Sequence, residues 1–223
     1  LKAKNVDTGS GLERVTAVVQ NKNNIFETDI FLPIIEKIRE ISTEKNTRAE
    51  RIIADHMRAS TFLIADGAVP SNSDQGYILR RLIRRSVRFS DVLKMNEGGL
   101  ITVVEMIIAK FGEVYKNLIE KRETIISEIK KEEAKFRKTL AAGMKEFNKI
   151  SGTNISGKDA FVLFSSFGFP IEITSELAKE KGISVDLDGF NTEFEQHQAL
   201  SRAGAEQKFK GGLGDTGEQS VKY

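Results

Sequence analysis

Apolar residues recur along this chain at intervals of three and four, the spacing that keeps one face of a helix dry. Phe31, Ile34, Ile35, Ile38 and Ile41 mark one such face, with Thr28 or Asp29 placed to cap it. Ile52, Ile53, His56, Met57, Ser60, Leu63 and Ile64 mark a second over about 47–66, and Gly67 is placed to end it in the left-handed conformation. Residues 67–76 read as a loop by composition, and helical spacing resumes from Tyr77 to Phe89. A turn near 97–99 precedes a helix over about 100–111. From Glu113 to Ile150 a Lys/Glu-rich stretch carries Ile119, Ile125, Ile126, Ile129, Phe136, Leu140 and Phe147 as a stripe, which predicts a long amphipathic helix with room for a break. Glu133 and Gly143 interrupt the stripe, so it predicts a scaffold helix packed on one side rather than a coiled-coil seam.

The two ends differ from this middle. Residues 1–24 read as a strand end from Leu1 to Val6, a glycine turn, and a helix through Leu12, Val15, Val18 and Val19. Over 151–190, Gly152, Gly157, Gly168, Gly182 and Gly189 punctuate short helical pieces. A last helix over about 188–208 is expected to turn Phe190, Phe194 and Leu200 inward, ahead of a glycine-bearing, flexible tail. The pattern thus predicts a mainly α chain in two subdomains parted near residue 150. It leaves room for at most a short β element, at the N-terminus or within 151–190.

Composition narrows the chemistry. In 223 residues there is no cysteine, so disulfides and thiolate metal sites are excluded and the cytoplasm is the expected compartment. His56 and His197 lie far apart in helical patterns, so no metal site is expected. No apolar run approaches the roughly 20 residues that span a bilayer, so no membrane partner is expected. The start, Leu1 to Asn5, lacks an initiator Met and an apolar signal region, and reads as a cut inside a longer protein. Lys and Arg number 34 against 32 Asp and Glu, so any attraction for nucleic acid must be local.

One local signal is strong. Between Asn72 and Arg88 stand five arginines and one acid, Asp74. On a helix Arg80, Arg84 and Arg88 align at i, i+4 with Arg81 and Arg85 beside them, while Leu79, Leu82 and Ile83 face inward. A guanidinium is a planar, permanently charged donor fork suited to phosphate oxygens. Two readings stay open: an RNA-gripping surface running from Asp66 to Arg88, or arginines neutralised by the chain's own Glu and Asp. A second, weaker signal is Gly9-Ser-Gly-Leu-Glu-Arg14, a glycine turn whose backbone N–H groups can face a phosphate, with Arg14 adding charge. It lacks the rest of a dinucleotide fingerprint or P-loop. No complete catalytic set is legible.

These pieces occur together, in order, in one family. Asp7-Thr-Gly-Ser-Gly-Leu-Glu-Arg14 resembles the third signature motif of class II aminoacyl-tRNA synthetases in its alanyl form. Arg51-Ile-Ile-Ala-Asp-His-Met-Arg58, Phe62-Leu-Ile-Ala-Asp-Gly67, Pro70-Ser-Asn72 and the run from Gly76 to Arg88 resemble the middle region of alanyl-tRNA synthetases. Glu132-Glu-Ala-Lys-Phe136 and Phe167-Gly-Phe-Pro170 continue the likeness, which covers nearly the whole chain.

The resemblance implies that 1–20 is the tail of the aminoacylation domain. Its Asp7 would hold the substrate's amino group, Gly9 and Gly11 would line the ATP site, and Arg14 would meet the ATP phosphates. It makes 21–150 a helical tRNA-recognition subdomain, 151–208 a second small helical one, and 209–223 a linker toward an editing domain. The implied partners are the acceptor stem of alanine tRNA and the rest of the synthetase chain. The parent would be an alanine–tRNA ligase using ATP with Mg. This chain would hold no cofactor and, without class II motifs 1 and 2, would not activate alanine alone. Zinc would belong only to the editing domain.

In the family an asparagine and an aspartate read a G·U wobble pair in that stem. The asparagine corresponds to Asn72, and Ser165 stands where the family has the aspartate. Gln75 likewise replaces a family arginine. With base reading assigned to Asn72 and position 165, Arg80, Arg81, Arg84, Arg85 and Arg88 become the expected grip on phosphates. The competing expectation is a helical scaffold with only weak, non-specific RNA binding.

Overall fold

In the computed structural model, which describes residues 8–150 and 154–212 and their side chains through residue 200, the helical spacing is realised nearly everywhere it occurs. α1 (Leu12–Val19), α2 (Leu32–Glu40), α3 (Thr47–Ala65), α4 (Asp74–Val92), α5 (Gly99–Phe111), α6 (Lys116–Glu120) and α7 (Arg122–Lys149) come first. β1 (Asn154–Ile155), α8 (Gly157–Phe167), α9 (Ile171–Glu180), β2 (Ser184–Val185) and α10 (Leu187–Gly212) follow. The two strands pair in parallel, Asn154 with Ser184 and Ile155 with Val185, so the chain is mainly α with the short β element within 151–190. The strand end expected over Leu1 to Val6 lies outside the described residues. The chain divides into two units, 1–138 and 139–223, with the boundary inside α7.

In the first unit α3 lies along α4, and α2 and α5 pack on α3. Ile34, Ile38, Ile53, Met57, Leu79 and Ile83 are fully buried at this junction. Each such side chain contributes about 1.5–3 kcal/mol through apolar area removed from water. Asn46 caps α3 by accepting the Ala49 N–H at 3.0 Å, and Gly67 follows the helix at φ +97°, the left-handed turn expected of it.

Two local expectations fail for identifiable reasons. Neither Thr28 nor Asp29 caps α2. Thr28 donates its hydroxyl to the Ile25 carbonyl at 2.6 Å, closing a 3-10 turn over Ile25–Glu27. Phe31 takes the cap position with no side-chain bond, and Pro33 presets the backbone in the first turn. The stretch after Glu113 takes the break allowed for it, as α6 and α7, but Ile119 lies 53% exposed instead of on the stripe. Here the chain passes tightly over Gly112, where a Cβ would stand 2.6 Å from both the Ile108 carbonyl oxygen and the Ile119 side chain.

In the second unit α8 packs on α10 at close range. A Cβ at Gly157 would stand 2.2 Å from the Gly189 carbonyl carbon, so only glycine permits the approach. Gly168 ends α8 at φ +68° and delivers Phe169 into the interior, fully buried. Its ring lies against Gly143 of α7, where a Cβ would stand 2.3 Å away. The glycine that interrupts the α7 stripe is therefore a seat for an aromatic ring. Phe164 meets Phe190 and Phe194 at centroid distances of 5.7 and 5.3 Å. Leu200, expected inward, is 74% exposed. α10 is 26 residues long against 11 for α8, so it runs on past its partner.

Candidate nucleic-acid interface

The loop between α3 and α4 is folded back on the first turn of α4. The Ser71 N–H donates to the Gly76 carbonyl at 3.1 Å, and the Ser71 hydroxyl donates to the Ser73 carbonyl at 2.9 Å. A Cβ at Gly76 would stand 2.2 Å from Ser71 Oγ and 2.5 Å from the Val69 carbonyl oxygen. Glycine is therefore required where the loop crosses the helix. Gly67, Ala68, Val69, Ser71, Ser73 and Asp74 border a shallow, open hollow. Asn72 sits on the exposed side of the loop, and Gln75 is exposed beside it. Arginine only donates, so the Arg80 guanidinium bonds the Asn72 side-chain oxygen and leaves the amide N–H₂ as the group Asn72 can offer a partner.

The five arginines of α4 do not share one environment. Arg84 has a side chain only 2% exposed, and its Nε donates to Glu132 Oε1 of α7 at 2.5 Å. Its guanidinium also lies over the Phe136 ring, 5.1 Å from the centroid. Burial pulls the Arg84 pKa below its ordinary value, while the Glu132 charge opposes that pull. Arg88 is also buried, lying over the Phe89 ring at 4.8 Å. Arg80, Arg81 and Arg85 are half-buried. Arg80 Nε is 3.6 Å from Glu132, so one carboxylate anchors both Arg80 and Arg84. Arg84 is thus paired internally, while Arg80, Arg81 and Arg85 retain some surface.

The glycine turn places Gly9, Gly11 and Arg14 at the exposed start of α1; Asp7 lies outside the described residues. The Arg14 stem folds against Gly11, 3.7 Å from a Cβ there. Leu12, Val15, Val18 and Val19 of α1 are 46–80% exposed, so this helix is fixed by its other side. Glu13 bonds Arg58 of α3 at 2.6 Å. A backbone hydrogen bond and Arg58 hold the Glu13 carboxyl below its usual pKa. The Arg58 guanidinium in turn lies 5.1–5.9 Å from the ring centroids of Phe31, Phe111 and Phe62. In the second unit Ser165 is exposed near the end of α8, three residues before the left-handed Gly168.

Three participants escaped sequence reasoning as functional residues: Glu132, His56 and Arg58. Each stands in a quoted motif, yet only the fold gives it a partner. Arg84 and Glu132 are 48 residues apart, and Arg58 and Glu13 are 45 apart. Among the described residues no group of three His, Cys, Asp or Glu could hold a metal ion, and no helix is long and apolar enough to cross a membrane.

The family model of the tRNA synthetases class II (A) matches residues 1–220. An alanine–tRNA ligase of Borrelia hermsii is 43% identical over all of this chain, which covers 40% of that relative. Alanine–tRNA ligases of Dehalococcoides mccartyi and Thermotoga maritima are each 43% identical over 91% of the chain, which covers 24% of theirs. The chain thus spans between a quarter and two fifths of the length of these curated relatives.

Proposed function

The chain belongs to the class II (A) tRNA synthetases, and on that premise we propose that it is the tRNA-recognition portion of an alanine–tRNA ligase. It grips the acceptor stem of alanine tRNA so that the parent enzyme can attach alanine with ATP. The observation that carries this reading is the braced loop: Asn72 is held from behind by Arg80, which Glu132 anchors. An A-form helix displays its base edges and 2′-hydroxyls in a wide, shallow minor groove, and a short amide on a firmly held loop suits that surface. Arg80, Arg81 and Arg85 supply the phosphate grip. Arg84 and Arg88 expose too little surface to share it and instead fix the helix that presents the others.

The N-terminal turn fits one edge of an ATP site, with Gly9 open to close approach and Arg14 exposed. Asp7, Gly9, Gly11 and Arg14 are proposed for the alanine and ATP contacts of the parent. The described residues offer no cluster that fits the accompanying Mg ion, so no step through it is assigned to this chain.

Salt dependence tests the grip. Three phosphate contacts give a log–log slope of affinity against salt of about −2 to −3, borrowing duplex and single-strand coefficients. A flat dependence in a titration against alanine tRNA favours the scaffold reading, which the internal Arg84–Glu132 pair supports. Position 165 makes a separate prediction. A carboxylate only accepts hydrogen bonds, whereas the shorter serine accepts or donates. Ser165→Asp in the full-length enzyme is expected to sharpen preference for G·U over G·C tRNA by roughly tenfold, measured as the ratio of charging rates. Equal, full discrimination by both proteins rules this out.

A further inference from the structure

His56 sits inside the first unit with its side chain 11% exposed, on the face of α3 that meets α4. Nothing in the proposed recognition uses it, yet both of its ring nitrogens are engaged. Nδ1 is 2.9 Å from Asp55 Oδ2, and Nε2 is 2.8 Å from an Nη of Arg85. The partners dictate the tautomer. Arginine can only donate, so Nε2 must accept; the Asp55 carboxylate accepts, so Nδ1 carries the proton. The hydrogen bond from His56 holds the Asp55 carboxyl below its usual pKa, with the charges of Arg58 and Arg85 acting in the same direction. On its other side the Arg85 guanidinium lies 5.6 Å from the centroid of the buried Phe89 ring. A hydrogen bond and an aromatic ring both bear on where that guanidinium sits.

From this geometry we infer that neutral His56 is the positioning residue that aims Arg85 at a phosphate of the bound RNA. The inference rests on the RNA-binding reading above and assigns to it a part that no arginine plays. A guanidinium has five N–H donors in a fixed fork, so fixing one of them orients the rest.

The test is a double-mutant cycle on alanine tRNA binding by the full-length protein. His56→Ala and Arg85→Ala are each expected to weaken binding roughly tenfold, the scale of one charge-assisted hydrogen bond, and to flatten the salt slope by about 0.9. In combination they are expected to weaken it no further. His56→Gln places an amide oxygen where Nε2 accepts and should restore most of the affinity. Losses that add, or a glutamine variant as weak as the alanine one, overturn the assignment of His56 alone. Wild-type binding that ignores salt overturns the RNA reading and the assignment with it.

Discussion

Glu132→Ala is expected to destabilise the first unit by about 3–5 kcal/mol, the cost of leaving a buried charge without its partner. Arg84 is the charge in question, 2% exposed, and its Nε lies 2.5 Å from the Glu132 carboxylate, itself 6% exposed. Burial already pulls the Arg84 pKa down. A lysine could relieve that by losing its proton, but a guanidinium titrates too high to neutralise itself near neutral pH. The cost must appear as lost stability or as local opening of α4 away from α7. Glu132→Gln retains an acceptor for Nε and removes only the charge, so its loss should fall between alanine and the wild type. Replacing both partners, Arg84→Met with Glu132→Leu, should recover most of the loss, because two apolar side chains of similar volume need no partner. Urea unfolding at neutral pH measures all four proteins, with the slope of stability against urea checked for constancy. A loss below about 1 kcal/mol in Glu132→Ala, the range of exposed pairs, would show that the pair is not buried in solution.

That pair also marks the limit of what the sequence made legible. Spacing located the helices well because a dry face must repeat with the helical period. Gly67 could be placed because a left-handed residue after a helix is a local requirement. The Thr28 and Asp29 cap failed locally as well, since the Thr28 hydroxyl had a nearer carbonyl in the turn behind it. The orientation of the arginines is a different matter. Charge density predicts a partner anion but not which one, and Glu132 stands 48 residues away among many similar Lys and Glu positions. Gly143 shows the same limit from the apolar side. It interrupts the α7 stripe because the Phe169 ring, from a distant turn, fills the gap. Asn72 was legible by family resemblance alone, and the brace behind it, Arg80 on Glu132, was not.

Base reading and phosphate grip should therefore separate by mutation. Asn72→Ala removes the amide proposed to read the stem and leaves the cations of α4 in place. Its expected effect is a fall of about 10- to 100-fold in the preference for G·U over G·C alanine tRNA, equivalent to about 1–3 kcal/mol for a specific base contact. The salt slope should stay as it was. Arg81→Ala should do the reverse, weakening both tRNAs alike and reducing the slope by about 1. Arg80→Ala is the informative third variant, because Arg80 both carries charge and holds Asn72 from behind. It should lose slope and preference together, whereas Arg80→Lys, which keeps charge without the planar fork, should retain slope and lose part of the preference. Binding of the two tRNAs at two salt concentrations gives both quantities for each variant. If Asn72→Ala keeps full preference, the loop is only a support for α4, and discrimination must come from elsewhere in the protein.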